Sequence, residues 1–258
     1  MPRRKSRRSD YVKGALYVTA FAGVCFVTYL IFLWRQSHEM EFVRYKEFGI
    51  PIPDQYVIHG IDVSRYQQLI SWKAVKQMRV KNIQLGFAFI KATEGVGRVD
   101  PFFNRNWRKA KEAGVVRGAY HYFIPWKDGK LQAQQFISKV KLESADLPPV
   151  LDVEVLSGCS PQQLRTEIKK WLDVVEAYYG VKPIIYTYTD FYSRYLGSDF
   201  DEYPLWVAHY LQPHQPRINR RWAFWQHSEG GRVNGILSKV DFNVFSGDSA
   251  QFRSLLVP

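Results

Sequence analysis

The chain has 258 residues, of which 46% are hydrophobic, 16% aromatic and 23% charged. This composition excludes a disordered, collagen-like or low-complexity protein. The 36 Lys and Arg residues outnumber the 24 Asp and Glu residues, giving a formal charge of +12 at pH 7 that favours an anionic partner or surface.

The N-terminal part of the chain combines a basic segment with a long apolar one. Residues 1–14 carry six basic side chains and one acidic side chain, whereas the twenty residues 15–34 carry no formal charge. A helix of that length spans about 30 Å, the thickness of the hydrocarbon core of a bilayer. Because basic flanks stay on the cytoplasmic side, the pattern predicts a cytoplasmic tail at 1–14 and a single transmembrane signal anchor at 15–34. The rest of the chain is then periplasmic or extracellular.

Two other kinds of N-terminal segment fit the pattern less well. A cleaved signal peptide, which would leave a secreted protein, usually has a shorter apolar region that ends in small residues. This segment ends in Phe-Leu-Trp-Arg instead. A nuclear-localisation or nucleic-acid-binding tail is also rich in Lys and Arg. Such a tail would not be followed by an uncharged segment of twenty residues, as the basic residues are here.

Residues 35–53, which end in Gly-Ile-Pro-Ile-Pro, are predicted to be a stalk, and residues 54–258 a single domain. Within that domain, β-rich runs alternate with helical patterns. The strand candidates are Val57–Asp62, Phe87–Lys91, Val116–Tyr122, Pro149–Glu154, Pro183–Tyr188, Leu205–His209, Ala223–His227 and Lys239–Val244. The helix candidates are Ser71–Arg79, Pro101–Ala113, Leu131–Leu142 and Pro161–Tyr179.

This alternation predicts an α/β fold with a parallel sheet, and eight strands predict closure into a barrel. The helical patterns fade after about residue 190. We therefore expect an irregular, TIM-like (β/α) barrel that is poor in helices in its C-terminal third, and its last strands are candidates for antiparallel pairing.

Acidic residues dominate the C-terminal ends of the predicted strands, where active sites of such barrels gather. The four candidates for catalysis are Asp62, Asp152, Glu154 and Asp241. The two-residue period of a strand places Asp152 and Glu154 on one face, about 6–7 Å apart. Their mutual repulsion raises the proton affinity of one of them. A protonated acid beside an ionised partner is what glycosidic cleavage needs, and the apolar flanks of this strand argue against a solvated edge.

Eight short motifs, in this order, resemble the family 25 glycoside hydrolases, the Chalaropsis-type lysozymes or N-acetylmuramidases. They are His59–Ser64, Phe89–Gly95, Gly118–Phe123, Leu151–Glu154, Ile185–Tyr188, Leu205–Tyr210, Phe224–Gln226 and Val240–Asn243. The resemblance covers roughly residues 57–247. It implies hydrolysis of the β-1,4 bond between N-acetylmuramic acid and N-acetylglucosamine in peptidoglycan.

By motif position, the resemblance also implies roles for the four acids. Glu154 matches the general acid, and Asp152 matches the residue that assists the substrate acetamido group in a retaining, neighbouring-group mechanism. Asp62 and Asp241 match the remaining acidic positions of the cleft. Such substrate-assisted enzymes fall outside the usual rule that relates carboxylate separation to stereochemistry.

Several residues near strand ends are candidates for substrate binding: Tyr188, Tyr122, Tyr66, Trp206 and Gln226. The resemblance favours Tyr188, because the family keeps a tyrosine there near the acetamido group. For the others, a place in the core remains an equal alternative. Lys91 and Glu94 are predicted to form a structural ion pair, and His121 to be a hydrogen-bonded residue of the barrel.

No spacing typical of metal ligands and no glycine-rich phosphate loop occurs in the sequence, so neither a metal nor a cofactor is expected. The basic residues Arg217, Arg220 and Arg221 are predicted to lie in a solvated loop. The expected partners are peptidoglycan strands and, through residues 15–34, the lipid bilayer. We expect a monomer that does not bind nucleic acid.

Two other functions remain open from the sequence. One is a non-catalytic peptidoglycan-binding module with an enzyme-like cleft, against which the presence of all four acids argues. The other is a chitinase-like hydrolase of N-acetylglucosamine polymers. Those enzymes usually extend the acidic run upstream, whereas Leu-Pro-Pro-Val precedes Leu151 and Asp152 here.

Overall fold

The computed structural model describes the backbone of residues 7–37 and 42–258, and the side chains of residues 13–31 and 42–258. The chain divides into two compact units, with the boundary between Met40 and Glu41. The tail predicted over 1–14 and the first part of the stalk predicted over 35–53 lie partly outside the described residues.

The first unit contains one helix, α1 (Arg7–Ser37). Its segment Lys13–Ile31 has a mean hydropathy of 1.9, and none of it is buried in the protein. By length and composition this segment is able to cross a membrane, and it overlaps the anchor predicted over 15–34. A signal sequence has the same properties, so α1 is a candidate anchor or signal.

The second unit contains twelve strands and six helices in the described residues 42–258. The strands are β1 (Phe42–Tyr45), β2 (Ile50–Pro53), β3 (His59–Val63), β4 (Arg79–Val80), β5 (Ile83–Glu94), β6 (Arg98–Val99), β7 (Val116–Tyr122), β8 (Val150–Asp152), β9 (Ile184–Tyr188), β10 (Leu205–Ala208), β11 (Phe224–Gly231) and β12 (Val240–Phe245). The helices are α2 (Trp72–Gln77), α3 (Phe103–Glu112), α4 (Gly129–Lys139), α5 (Pro161–Tyr179), α6 (Thr189–Phe191) and α7 (Ser249–Leu255).

Eight of these strands close into a barrel in the order β3, β5, β7, β8, β9, β10, β11, β12, with β12 returning to β3. Neighbours from β3 to β11 run parallel, and β12 runs antiparallel to both of its neighbours. The predicted α/β class, the closure of eight strands and the late antiparallel pairing are confirmed. The reversed β12 means that the barrel is not a regular eightfold βα repeat.

Helix α5 illustrates how local sequence sets the elements around the barrel. Ser160 caps its first turn by accepting a hydrogen bond from the backbone N–H of Gln163, Pro161 opens it, and Gly180 ends it in a left-handed conformation at φ 71°. Its five buried side chains follow helical spacing: Leu164, Ile168, Trp171, Leu172 and Val175. After residue 200, α7 is the one α-helix in the described chain, which confirms the predicted scarcity of helices there.

Apolar side chains fill two layers, because alternate residues of each strand point to opposite faces. One layer lies between the strands and the helices and includes Ile61, Leu151 and Trp171. The other lies inside the barrel, where Phe89 stacks on Trp206 with ring centroids 4.3 Å apart.

Residues 42–53 form a β-hairpin of β1 and β2 that packs on the barrel. Phe48 is fully buried, its ring lies 5.3 Å from that of Phe242, and its carbonyl accepts a hydrogen bond from the N–H of Arg232. The prediction of a stalk is therefore wrong for residues 42–53, and the compact unit begins near residue 41 rather than 54. The prolines of this segment suggested irregular backbone, but an edge strand tolerates proline.

Candidate active site

The four predicted acids gather at one end of the barrel. Asp62 lies near the end of β3, Asp152 ends β8, and Glu154 follows two residues later. Asp241 is the second residue of β12. Because β12 runs against its neighbours, its beginning lies beside the C-terminal ends of the parallel strands, and Asp241 is directly paired with Asp62.

Asp62 and Asp241 share a hydrogen bond between their carboxyl groups. Burial raises the pKa of Asp241 to about 9, and the charge of Asp62 adds to the rise. Burial also raises the pKa of Asp62, but hydrogen bonds from Asn243, Gln226 and Asp241 oppose this rise. The pair therefore holds one proton at neutral pH, and that proton belongs to Asp241.

Two amide side chains donate hydrogen bonds to the carboxyl group of Asp62. Gln226 Nε2 and Asn243 Nδ2 both donate to Asp62 Oδ2, at 2.7 and 2.8 Å. Trp206 Nε1 donates to Asn243 Oδ1 at 2.7 Å, and because an indole N–H only donates, the amide of Asn243 must turn its NH₂ group toward Asp62. These donors favour the carboxylate form of Asp62 and oppose the rise in its pKa that burial causes.

Asp152 is buried at the end of β8, and its Oδ1 accepts no hydrogen bond from the part of the chain that the structure describes. Burial raises the pKa of Asp152 well above its ordinary value, and the neighbouring Glu154 raises it further. An unpaired buried carboxyl oxygen is costly. This atom is thus available to a group that a ligand brings.

Glu154 and Asp241 are only partly buried, whereas Asp62 and Asp152 are buried, so Glu154 is accessible to a large substrate. Burial raises its pKa, and the charge of Asp62 raises it further. A hydrogen bond with Tyr186 and the charge of Lys91 act in the opposite direction. The set therefore contains an anion at Asp62 and, close to solvent, a carboxyl group with increased proton affinity. Such a group is able to donate a proton to a leaving oxygen.

Comparisons with known proteins agree with this geometry. The sequence model of the glycosyl hydrolases family 25 matches residues 61–236, a range that includes Asp62, Asp152 and Glu154. The chain belongs to this family. It is a glycoside hydrolase, a muramidase by family.

Relatives of this family 25 enzyme include proteins with and without a described activity. Over 211 residues it is 48% identical to "Uncharacterized protein YegX" of Escherichia coli strain K12, with 82% of this chain and 78% of the relative covered. It is 36% identical to "Lysozyme M1" of Streptomyces globisporus, with 77% of this chain and 71% of the relative covered.

Solved structures support the fold as well. A family 25 glycosyl hydrolase from Bacillus anthracis has a TM-score of 0.72 and 31% identity, covering 83% of this chain and 96% of that one. A bacterial lysozyme from Streptomyces coelicolor has a TM-score of 0.70 and 36% identity, covering 78% and 98% of the two chains.

Three of the tyrosines and tryptophans predicted to bind substrate have accessible rings in this family 25 enzyme. Tyr188 is 40% exposed and Tyr66 is 69% exposed. Tyr122 is partly buried beside Glu154 and Asp152, and the Lys91 ammonium group lies 4.7 Å from the centre of its ring. All three lie at or just beyond the C-terminal ends of barrel strands.

The other two candidates lie inside the barrel, which corrects the prediction that they bind substrate. Trp206 is 2% exposed, packed on Phe89 and hydrogen-bonded to Asn243. Gln226 is also 2% exposed; besides donating to Asp62, it accepts hydrogen bonds from the hydroxyls of Tyr186 and Tyr210. Both side chains point into the barrel, where Gln226 is hydrogen-bonded to Asp62 and Trp206 to Asn243.

Two structural predictions near the site are confirmed. Lys91 Nζ lies 2.9 Å from Glu94 Oε2, and Arg98 pairs with the other oxygen of Glu94. His121 is fully buried between Thr93 Oγ1 and Gln132 Oε1. Burial lowers the pKa of His121 to about 4, so it is neutral at ordinary pH and does not serve as a charged group.

The loop predicted for the arginine cluster is only partly solvated. Arg220 donates to the backbone carbonyls of Phe200, Asp201 and Tyr203, and its side chain is 10% exposed. It ties the long β10–β11 connection to the preceding turns. Arg221 beside it is exposed, as predicted.

The residues that orient the acids were not predicted as functional. Tyr186, Tyr210 and Asn243 occur in the recognised motifs, but nothing in their spacing shows that they converge on Gln226 and Asp62. The two-residue alternation along β9 and β12 is the one signal that places Tyr186 and Asn243 inside the barrel.

Other features of the domain lie away from this site. A cavity of about 960 Å³ opens beside Tyr56, Trp222 and Gln251, where β11 begins and β12 ends, and none of the four acids lines it. Among the described residues, no group of three or more His, Cys, Asp and Glu is arranged to hold a metal ion.

Proposed function

We propose that this protein is a membrane-anchored N-acetylmuramidase that cleaves the β-1,4 bond between N-acetylmuramic acid and N-acetylglucosamine in peptidoglycan. The observation that carries the proposal is the pair formed by Asp152 and Glu154. Asp152 is buried with one oxygen unpaired, and Glu154 beside it is partly accessible and has a raised pKa. The names of the lysozyme relatives support peptidoglycan as the substrate.

In the proposed reaction, Glu154 gives its proton to the glycosidic oxygen while the bond from that oxygen to C1 breaks. The carbonyl oxygen of the substrate's 2-acetamido group forms a bond to C1 on the opposite face. Asp152 Oδ1 accepts a hydrogen bond from the acetamido N–H, which holds the carbonyl oxygen of the group in line with C1.

The second half of the reaction regenerates the enzyme. The Glu154 carboxylate takes a proton from a water molecule whose oxygen attacks C1 and displaces the acetamido oxygen. Two displacements at C1 retain the configuration of the sugar. Asp62 remains an anion throughout, and its charge keeps the proton affinity of Glu154 high.

The segment Lys13–Ile31 supports a location at the outer face of the cytoplasmic membrane. The basic residues before it favour a cytoplasmic N-terminus, and the catalytic unit is then periplasmic or extracellular. A tethered, monomeric enzyme in this position acts on wall polymer near the membrane. If the apolar segment were removed as a signal sequence, the same unit would be secreted.

The proposal is tested with the full-length chain in detergent micelles and purified peptidoglycan. We expect release of fragments with N-acetylmuramic acid at the new reducing end, and loss of this activity in Glu154→Gln. The matched control is Glu176→Gln, a half-buried glutamate near the C-terminal end of α5, which should keep full activity.

Two outcomes would contradict the proposal. If no reducing-end N-acetylmuramic acid appears and Glu154→Gln is indistinguishable from wild type, the muramidase assignment fails. Faster cleavage of chitin oligomers than of peptidoglycan would favour a chitinase-like enzyme instead.

A further inference from the structure

Trp126 is a large apolar side chain that the described part of the chain leaves more than half exposed. It is 56% exposed. Within the described residues, its ring forms no pair with another aromatic ring and lies against no cation, and its indole N–H donates no hydrogen bond. A tryptophan buries about 150–250 Å² when it is packed, so an exposed one offers a wide apolar face together with one hydrogen-bond donor.

The backbone holds Trp126 at the tip of a tight turn. Lys127 N donates to Ile124 O at 3.1 Å, which makes Ile124–Lys127 a β-turn with Pro125 and Trp126 at its centre. Proline fixes φ at the second position of such a turn. Trp126 is therefore presented outward by the turn geometry.

One buried side chain holds this turn in place through hydrogen bonds to its backbone. Gln132 is fully buried; its Oε1 accepts from Ile124 N at 2.9 Å, and its Nε2 donates to Ile124 O and Lys127 O at 3.0 and 3.1 Å. Gly95 packs closely against the turn: a Cβ at that position would lie 2.9 Å from Ile124 Cγ1. A turn fixed in this way loses little conformational entropy when a ligand binds to it.

The turn lies at the same end of the barrel as the acids. It follows β7 directly, and the N–H of Phe123 donates to the carbonyl of Asp152 at 2.9 Å. Tyr122, just before it, is paired with Asp152 across β7 and β8. Together with Tyr66 and Tyr188, Trp126 gives this end of the barrel three exposed aromatic rings: Tyr66 and Trp126 follow β3 and β7, and Tyr188 ends β9.

We propose that Trp126 is a platform on which a sugar ring of the glycan chain stacks, at a position remote from the bond that is cleaved. This inference rests on the proposed function and extends it: the enzyme takes a chain of several sugars rather than an isolated disaccharide unit. The C–H face of a pyranose ring packs on the indole, and the indole N–H donates to a hydroxyl or acetamido oxygen of the same chain.

The test uses the full-length chain in detergent and soluble glycan strands, prepared from peptidoglycan by removing the peptides and then separated by length. In Trp126→Ala, we expect the ratio of kcat/KM on long strands to that on the shortest cleaved strand to fall about threefold to tenfold, as expected for the loss of one aromatic stacking contact. Trp126→Phe should restore most of this preference. Tyr178→Ala, which removes an aromatic ring of similar exposure (54%) at the C-terminal end of α5, should keep the wild-type ratio.

An unchanged ratio in Trp126→Ala, or an equal loss on strands of every length, would overturn the platform. Failure of the proposed function is distinguishable, because wild type would then cleave no strand of any length. In that case, the platform is tested by binding instead of cleavage. Binding of long strands is compared between Glu154→Gln and the double variant that also carries Trp126→Ala, and equal binding would also overturn the platform.

Discussion

Asp62 and Asp241 face each other across the antiparallel strands β3 and β12, with their carboxyl groups joined by a hydrogen bond. The two residues are close because one strand of the barrel is reversed, which brings the start of β12 to the catalytic end. The two acids look alike in the sequence, but within this pair they differ in protonation state. Asp241 is the neutral donor, and Asp62 is the anion that three donors surround.

Asp241→Asn should stabilise the protein most at high pH. The pKa of Asp241 is about 9 in the folded protein and near 4 in the unfolded chain. The folded state therefore retains a proton that the unfolded state loses, and wild-type stability falls as pH rises through this window, by at most about 1.4 kcal/mol per unit. The asparagine removes this slope and still donates to Asp62.

Urea unfolding at several pH values between 4 and 9, followed by tryptophan fluorescence, measures this difference. The exposed Asp190→Asn is the control and should track wild type at every pH. Parallel stability curves for Asp241→Asn and wild type would show that Asp241 does not hold the proton.

Activity should fall on the alkaline side of its pH profile. Glu154 acts only while protonated, and burial and the charge of Asp62 raise its pKa, so the apparent pKa of this limb lies above that of an ordinary glutamate and belongs to the coupled set. Asp62→Asn removes the negative charge and should move the limb to lower pH. The measurement is kcat/KM on soluble glycan strands from pH 4 to 10; a flat profile, or a limb that stays in place in Asp62→Asn, is the contrary result.

Gln226→Leu should impair catalysis without contact between this residue and the substrate. The variant removes one donor from Asp62 and the amide oxygen that accepts from the hydroxyls of Tyr186 and Tyr210. In the wild type, the hydrogen bond from Gln226 lowers the pKa of Asp62, so its loss should raise that pKa. The acidic limb of the activity profile, where Asp62 becomes protonated, should then shift upward by roughly one to two pH units.

The control for this prediction is Gln84→Leu, a half-buried glutamine that bonds Arg79 and the carbonyl of Lys76 far from the acids. It should lose some stability and keep the wild-type pH profile. If Gln226→Leu also lost only stability, Gln226 would be a packing residue and not a positioning one.

The hairpin of β1 and β2 should be necessary for full stability of the barrel. Phe48 is fully buried against Phe242, and its replacement in Phe48→Ala is expected to cost about 3–5 kcal/mol of unfolding free energy. The exposed Arg44→Ala on the same hairpin should be within about 0.5 kcal/mol of wild type. Urea unfolding compares the three proteins, and equal midpoints for Phe48→Ala and wild type would mean that the hairpin does not contribute to the core.

The sequence alone was sufficient wherever the information is local. Apolar runs and turn signals located all eight barrel strands to within a few residues, and Ser160, Pro161 and Gly180 located both ends of α5. The two-residue spacing of Asp152 and Glu154 placed both at one strand end, and the uncharged residues 15–34 indicated a segment able to cross a membrane. These features depend on neighbours along the chain, so their periods are visible in the order of residues.

Only the tertiary structure decided which distant residues meet. Gln226 and Asp62 are 164 positions apart and come into hydrogen-bonding distance because the barrel closes in one particular register. The same closure put Trp206 inside, where its ring packs on Phe89, and folded residues 42–53 over β11 and β12. Alternation along a strand tells which face a side chain takes, but its partner across the barrel depends on the register of the other strands, and no local pattern encodes that register.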